Sequence, residues 1–187
     1  FDRELVDGYI EFLKGVPSVD SLSPLRVVLD CAHGAAFHIA GRIFEELGAE
    51  VVALNTDPDG RNINQDCGAV HPERMVDSVV ETKASLGVAL DGDSDRSILC
   101  DENGNLLDGD HILFILARFF QQMEEFESGC VVTTVMANKG LEVALERENL
   151  RMVRTRVGDR HVLARMLQDH HVLGGEPSGH IIMSTHS

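Results

Sequence analysis

Residues 26–54 read RVVLDCAHGAAFHIAGRIFEELGAEVVAL, and this stretch decides the fold class. Its two ends, residues 26–30 and 51–54, are apolar runs of the length and composition that buried strands have. Between them, apolar side chains recur at helical spacing at positions 36, 37, 40, 43, 44 and 47, and Gly48 follows as a helix terminator. The pattern predicts a β-α-β unit, in which two parallel strands are joined by a helix.

Strand and helix patterns alternate through the rest of the chain. A helical stripe over residues 5–13 precedes the β-α-β unit, and a second round of alternation begins at a helix that Asp110 is expected to cap. The elements expected in the second round are strands 130–135 and 152–155 and helices 140–147 and 159–167. The predicted fold class is α/β, with two similar domains, 1–107 and 108–187, each a mostly parallel mixed sheet flanked by helices. The second domain is expected to be incomplete at its C-terminal end.

The composition limits the classes of partner. The chain has 187 residues, of which 16 are basic and 31 acidic, and its formal charge of -15 argues against nucleic acid or an anionic membrane as a partner. Its longest strongly apolar stretch, residues 112–120, is interrupted by Arg118 and is too short to span a bilayer.

Four cysteines without paired spacing suit a reducing compartment, so we expect a cytoplasmic protein. No signal peptide opens the sequence. Phe1 is not a natural start, so we expect an excised piece of a longer chain.

An acidic loop follows the apolar run at residues 87–90. It reads Asp91-Gly92-Asp93-Ser94-Asp95-Arg96, with carboxylates at every second position and a cation after them. Three carboxylates held this close repel one another unless a cation lies among them, and oxygen ligands suit magnesium, calcium or manganese rather than zinc. The loop therefore predicts a divalent-metal site formed by Asp91, Asp93 and Asp95. The alternative is a solvated acidic turn.

Two other interpretations of the acidic loop stay open. Counted from Asp91, an EF-hand calcium loop is matched by the three acids and by Glu102, but Arg96 stands where that loop needs glycine. The turn pattern Asn103-Gly104 also stands where the exiting helix should run. The second interpretation is an aspartyl phosphatase, in which Asp91 attacks phosphate and Asp93 acts as the general acid.

Three motifs give the chain a family resemblance. They are residues 91–96, the turn Val157-Gly158-Asp159-Arg160 and the loop at residues 174–180. Together they resemble the alpha-D-phosphohexomutase family, and the resemblance extends over nearly the whole chain. Within that family, residues 58–68, 134–141 and 157–162 resemble the bacterial branch that acts on glucosamine phosphates more than the branches that act on mannose or glucose phosphates.

The resemblance implies a four-domain phosphosugar mutase of which this chain holds the second and third domains. The second domain of the family binds Mg²⁺, the cofactor implied here, through residues that match Asp91, Asp93 and Asp95, and the third domain binds the sugar. The implied substrate is a phosphorylated hexosamine. Arg96 is then expected to contact the transferring phosphate, and the alternative is a salt bridge to one of its neighbouring aspartates.

The loop at residues 174–180 supplies the implied sugar contacts. Glu176 and Ser178 match the family's sugar-recognition pair, although Pro177 departs from the glutamine or methionine often found between them. His180 is expected either to move a proton at the reacting hydroxyl or to be a structural residue at the start of a strand.

Three further candidates lie at predicted helix starts, where free amides favour anions. Asp159 and Arg160 follow a glycine and are expected to bind the substrate, with helix capping as the alternative for Asp159. Lys139 opens the helix after a strand and could attract phosphate. His33 and Gly34 are weaker candidates, because close packing alone accounts for Gly34.

Two phosphate-handling loops of the family are absent from this sequence. Neither the Thr-x-Ser-His-Asn-Pro loop, whose serine carries the transferred phosphate, nor the Arg-x-Ser-Gly-Thr loop of the fourth domain occurs. We therefore expect the chain to need the remaining domains of the same protein as partners and to have no mutase activity alone. A homodimer is compatible with the sequence.

Overall fold

The computed structural model describes residues 3–16, 19, 21–124 and 126–184. They belong to two compact units, and the boundary lies between Leu106 and Leu107. Each unit is a mixed sheet with helices packed on it, and both sheets have the same plan of strand order and direction. The predicted fold class, two similar α/β domains with mostly parallel mixed sheets, is confirmed.

The first unit contains a five-stranded sheet with the strand order β2-β1-β3-β4-β5. Its elements are α1 Arg3–Lys14, β1 Arg26–Asp30, α2 Ala40–Glu46, β2 Glu50–Leu54, a 3₁₀ helix Gly68–Val70, α3 Glu73–Thr82, β3 Leu86–Leu90, β4 Ser97–Asp101 and β5 Leu106–Leu107, whose last residue belongs to the second unit. Strand β1 pairs in parallel with β2 and with β3, and β4 runs antiparallel to β3. The loops that follow β1, β2 and β3 therefore all leave from the same edge of the sheet.

The core of the first unit lies on both faces of the sheet. Successive side chains of a strand point to opposite faces, so Val27 and Leu29 of β1 pack with Ala40 of α2, whereas Val28 packs with Met75 of α3. Full burial of an aliphatic side chain of this kind contributes about 1.5–3 kcal/mol. Because β1 is buried on both faces, its position in the sheet is well defined, and so is the point at which the loop after it begins.

Helix α2 is shorter than the apolar spacing predicts. The pattern predicts helix from residue 36, but α2 begins at Ala40, and residues 32–39 form a series of turns. Ala32 and His33 adopt left-handed backbone conformations, with φ of 52° and 49°, directly after β1. Both residues lie before the predicted helix, and the turns continue after them. The amides of Phe37 and Ile39 bond three residues back, to the carbonyls of Gly34 at 3.2 Å and Ala36 at 3.1 Å, whereas the Ala40 amide bonds four residues back, to Ala36 at 3.0 Å. The chain therefore forms tight turns over residues 36–39 and becomes α-helical at Ala40.

The second unit repeats the plan with the strand order β7-β6-β8-β9. Its elements are α4 Gly109–Gln122, β6 Cys130–Thr134, α5 Lys139–Arg147, β7 Arg151–Thr155, α6 Asp159–Asp169, β8 Leu173–Gly175 and β9 Ile181–Met183. Strand β6 pairs in parallel with β7 and β8, and β9 runs antiparallel to β8. Val131 packs toward α4 and α5, whereas Val132 packs against Met166 of α6. Within the described part of the chain, no helix is long and apolar enough to cross a membrane.

The start of α4 corrects the prediction that Asp110 caps this helix. The N-cap is Asp108, whose Oδ1 accepts hydrogen bonds from the amides of Asp110 at 3.1 Å and His111 at 3.2 Å. Asp110 is instead buried, and its Oδ2 accepts a hydrogen bond from the amide of Asn138 at 2.8 Å. Both aspartates are of a good capping type, so only the position at which the helix begins distinguishes them. Asp110 ties the start of α4 to the loop before α5.

The ionisation of Asp110 is expected to lower the free energy of unfolding as the pH rises. Its Oδ1 is buried and has no hydrogen-bond partner among the described residues, and burial raises the pKa of its carboxyl above the ordinary value of 3.8. A group whose pKa is higher in the folded state contributes most below its unfolded pKa, and that contribution is lost as the pH rises through the folded pKa. We therefore expect the free energy of unfolding of Asp110→Asn, relative to the original chain, to increase between pH 3.8 and neutral pH. Urea denaturation of both proteins over that range measures the difference, and a difference that is flat or falls with pH would contradict the assignment.

Candidate functional site

The acidic loop is the turn of a hairpin at the carboxyl edge of the first sheet. Asp91 follows the last residue of β3, and β4 begins at Ser97. One carboxylate oxygen from each of Asp91, Asp93 and Asp95 lies within 4.8 Å of the other two. Oxygen ligands at about 2.1 Å from Mg²⁺ are at most about 4.2 Å apart, so a small closure of the loop brings all three to one ion. The donor set and its spacing therefore fit a hard divalent cation.

Asp91 is the anchored member of the three. It is 1% exposed, whereas Asp93 and Asp95 face solvent. Its Oδ1 accepts a hydrogen bond from the backbone amide of Arg96 at 3.1 Å, and its Oδ2 accepts one from Nε of Arg96 at 2.8 Å. Burial acts to raise the pKa of the Asp91 carboxyl, but the Arg96 amide and guanidinium outweigh it, so the pKa lies below its ordinary value. Asp91 is therefore held as a carboxylate in a fixed position.

Arg96 forms salt bridges with the neighbouring aspartates, which was the alternative role predicted for it. Its Nη2 lies 2.8 Å from Asp91 Oδ2, and its Nε lies 3.4 Å from Asp95 Oδ1. The side chain of Arg96 is 43% exposed, so the guanidinium also faces solvent beside the carboxylates. The expected contact between Arg96 and a phosphate stays a prediction.

The backbone around the acidic loop is packed too tightly for side chains. A Cβ built on Gly34 would lie 2.8 Å from Cα and 2.9 Å from C of Gly92, and the amide of Ala35 donates to the Gly92 carbonyl at 2.8 Å. On the other side, a Cβ on Gly92 would lie 2.8 Å from Asn64 Nδ2 and 2.8 Å from Ile63 Cδ1. The acidic loop is thus held between the turn after β1 and the long loop after β2. The prediction that close packing explains Gly34 is confirmed.

Asp30 is a supporting residue that the sequence did not reveal. It is fully buried at the end of β1, where its Oδ1 accepts the amide of Ala32 at 2.9 Å and its Oδ2 accepts the amide of Gly68 at 3.0 Å. These bonds fasten the long loop after β2 to the sheet edge. A carboxylate that ends a buried apolar strand needs partners, and this was the only pattern that could have identified it.

The EF-hand interpretation of the acidic loop is wrong. An EF-hand loop joins two helices, whereas residues 91–96 join β3 to β4. Glu102, the residue that would close the calcium loop, lies beyond the end of β4.

The second unit brings the predicted sugar-binding residues to the carboxyl edge of its sheet. Glu176 and Ser178 lie in the loop between β8 and β9, where Glu176 is half-buried and Ser178 is exposed. The Glu176 Oε1 accepts the amide of Gly158 at 2.9 Å. His180, half-buried, closes the loop through its carbonyl, which accepts the amide of Glu176 at 2.9 Å.

The other candidates of the second unit follow β6 and β7 at the same edge. The N-cap of α6 is Gly158, and Asp159 is the first residue inside the helix, so the capping alternative for Asp159 is wrong. Asp159 and Arg160 are exposed in the first turn of this helix. Lys139 is the first residue of α5, and its exposed side chain pairs with Glu142 at 2.9 Å. Because β6, β7 and β8 are parallel neighbours, the fold gathers segments that are far apart in the sequence.

The fold and the acidic loop together define an α/β protein of two similar units, one of which carries a candidate cation site. Residues 7–104 match the family model described as phosphoglucomutase/phosphomannomutase, alpha/beta/alpha domain II, and residues 108–187 match alpha/beta/alpha domain III of the same description. The chain therefore belongs to the phosphoglucomutase/phosphomannomutase family. This confirms the resemblance to the alpha-D-phosphohexomutases.

Individual relatives agree with the family. A phosphoglucosamine mutase of Clostridium novyi is 49% identical over 177 residues, which are 95% of this chain and 39% of that protein. A phosphoglucosamine mutase of Acinetobacter baumannii is 53% identical over 175 residues, covering 93% of this chain and 38% of that protein. The chain thus spans about two fifths of the length of these relatives.

A solved structure of a relative has the same fold. A phosphoglucomutase/phosphomannomutase family protein of Burkholderia thailandensis superposes with a TM-score of 0.84 at 27% identity, covering 98% of this chain and 40% of that one.

Proposed function

We propose that this chain forms the second and third domains of a phosphoglucosamine mutase, an enzyme that interconverts glucosamine 6-phosphate and glucosamine 1-phosphate. The observation that carries the proposal is the 53% identity with the Acinetobacter baumannii phosphoglucosamine mutase over 93% of this chain. The proposed domain limits are residues 1–107 and 108–187. Because the chain spans only part of its relatives, we assign the activity to the whole protein. The remaining domains supply the serine that carries the transferred phosphate, and the expected location is the cytoplasm.

We infer that Asp91, Asp93 and Asp95 hold Mg²⁺. When bound, the ion supplies positive charge for a phosphate group whose negative charge spreads during transfer. Asp91 fixes the position of the site, because both of its oxygens are already held by Arg96. The solvent-facing Asp93 and Asp95 then complete the ligand set, and the exposed part of the Arg96 guanidinium is directed to phosphate oxygens.

The second unit binds and orients the sugar. Glu176 accepts hydrogen bonds from substrate hydroxyls and Ser178 donates to one of them. Lys139 and Arg160 are exposed cations at the same sheet edge, and a chain with a formal charge of -15 needs such local cations to admit a phosphorylated substrate. Asp159 contacts the substrate from the start of α6. His180 moves a proton at the reacting hydroxyl.

The aspartyl-phosphatase alternative is disfavoured by the contacts of Asp91. A carboxylate nucleophile needs a free oxygen directed at phosphorus. Both oxygens of Asp91 accept hydrogen bonds from Arg96, and the residue is 1% exposed. These contacts hold the carboxylate in one orientation and so disfavour attack on phosphorus, whereas an oxygen that accepts one hydrogen bond, as Oδ1 does from the Arg96 amide, keeps a second lone pair for a cation.

Turnover of different sugar phosphates by the whole protein tests the proposed function. In the presence of Mg²⁺, we expect kcat/KM for glucosamine 1-phosphate to exceed the values for glucose 1-phosphate and mannose 1-phosphate by about 100-fold or more, since a site that binds a substrate amine rejects analogues that lack it. The 187-residue chain alone is the control, and it should show no turnover. A preference for mannose or glucose phosphate would identify a sister mutase, and hydrolysis of a simple phosphate ester by the chain alone would support the phosphatase.

A further inference from the structure

The carboxylate of Glu176 is held by the start of α6. Its Oε1 lies 2.9 Å from the backbone nitrogen of Gly158, the N-cap residue, which donates the hydrogen bond. Helix α6 has 11 residues, and the partial positive charge at its N-terminus favours an anion. The anion at this position is a carboxylate of the protein itself, so this amide is already engaged and is not available to a substrate phosphate.

The backbone of Gly158 explains why this position is glycine. Its φ of 120° and ψ of 127° lie in a region that residues with a side chain rarely adopt. A Cβ at this position would meet only His161 Cδ2, at 3.6 Å. The requirement for glycine is therefore conformational and not steric. This backbone conformation directs the Gly158 amide at Glu176.

The backbone of the Glu176 loop is fixed separately from its carboxylate. The Glu176 amide donates to the carbonyl of His180 at 2.9 Å, and the Glu176 carbonyl accepts the amide of Gly179 at 3.0 Å. The amide of Gly109, at the start of α4, donates to the Pro177 carbonyl at 3.1 Å. Because the main chain is held in this way, the hydrogen bond from the Gly158 amide restricts the rotation that is left to the Glu176 side chain.

We propose that Gly158 is a positioning residue for sugar recognition, and this inference rests on the proposed function. Its amide holds Oε1 of Glu176, so that Oε2 is presented to the substrate in one direction. In glucosamine 6-phosphate the ring carbons 3 and 4 carry the vicinal hydroxyls that take no part in the reaction, and these are the groups that a fixed carboxylate oxygen distinguishes. Gly158 thus sets specificity through Glu176 without touching the substrate.

Gly158→Ala in the whole protein tests the inference. Alanine disfavours the backbone conformation that directs the amide, so Glu176 loses its partner, and loss of a hydrogen bond to a charged group reduces kcat/KM by about 10- to 100-fold. We expect the ratio of kcat/KM for glucosamine 6-phosphate over its 4-deoxy or 3-deoxy analogue to fall by about 10-fold. The matched control is Gly129→Ala. Gly129 has a positive φ of 53°, a Cβ there would make an ordinary contact with Leu150 Cδ2 at 3.9 Å, and the residue precedes β6 at the opposite edge of the sheet. The control should leave the ratio unchanged.

Two further measurements separate positioning from a general loss of structure. In a Glu176→Ala background, Gly158→Ala should change the ratio by less than about 2-fold, because the two residues act as one unit. Independently of any substrate, Glu176→Ala should speed hydrogen exchange of the Gly158 amide. Full additivity of the two substitutions, or an unchanged exchange rate, would overturn the inference. Absence of turnover of glucosamine phosphates by the original protein would overturn the proposed function instead, and the exchange measurement would still decide the contact.

Discussion

Replacing Asp93 by asparagine in the whole protein is expected to lower kcat by at least about 100-fold, comparable to the loss of one essential electrostatic group at a reacting centre. Asp93 is exposed and contributes a carboxylate oxygen to the three that lie within 4.8 Å of one another. The substitution removes one negative charge from the ligand set without emptying a packed space. Metal binding should therefore weaken while the folded structure stays intact. Turnover at several Mg²⁺ concentrations and titration with Mn²⁺ followed by electron paramagnetic resonance measure the two effects.

The matched control for Asp93→Asn is Asp77→Asn. Asp77 is exposed on α3, so this variant makes the same change of charge and shape away from the acidic loop. We expect it to keep the activity and the Mn²⁺ affinity of the original protein, and both variants should keep its thermal unfolding midpoint. Unchanged turnover in Asp93→Asn would refute the metal role of the loop.

Gly34→Ala is expected to damage stability and metal binding together. The new Cβ would lie within 2.9 Å of three backbone atoms of Gly92, and the backbone cannot move aside as a flexible side chain does. Overpacking of this kind costs about 1–3 kcal/mol, and the displaced atoms belong to the loop that carries the three carboxylates. We expect a lower urea midpoint for the 187-residue chain and a Mn²⁺ affinity reduced by about 10-fold or more, as for loss of a supporting contact at a metal site.

Gly41→Ala provides the comparison for Gly34→Ala. Gly41 lies in α2, and a Cβ there would meet no atom within 4 Å. Alanine favours a helix over glycine by about 0.5–1 kcal/mol, so this variant should be at least as stable as the original chain and should bind Mn²⁺ equally well. If Gly34→Ala behaved like Gly41→Ala, the tight approach of the two loops would not be needed for the site.

The two variants separate the charge of the metal site from its placement. Asp93→Asn changes the charge and leaves the packing, whereas Gly34→Ala leaves all three carboxylates and changes where the loop lies. Asp93→Asn should therefore lose Mn²⁺ affinity at an unchanged unfolding midpoint, and Gly34→Ala should lose both.

The predictions that succeeded depend on interactions close in the sequence. The β-α-β plan follows from the apolar periodicity of residues 26–54, and Asp91, Asp93 and Asp95 meet because alternate positions of one short turn cannot lie far apart. The predictions that failed depend on where an element begins. Apolar spacing does not distinguish the turns at residues 36–39 from helix, since both bury the same side chains. Composition likewise does not distinguish Asp108 from Asp110 as the cap of α4.

The sequence alone determined the α/β class, the two similar units and the acidic loop, because periodicity and the repulsion of neighbouring charges act over a few residues. Only the tertiary structure decided which groups hold that loop in place and which group holds Glu176. The partners of Asp30 and Glu176 are backbone amides at Gly68 and Gly158, and every residue except proline has such an amide, so no pattern of side chains marks them. They became partners because parallel strands end at one edge of a sheet, where a buried or half-buried carboxylate is stable only if it finds donors.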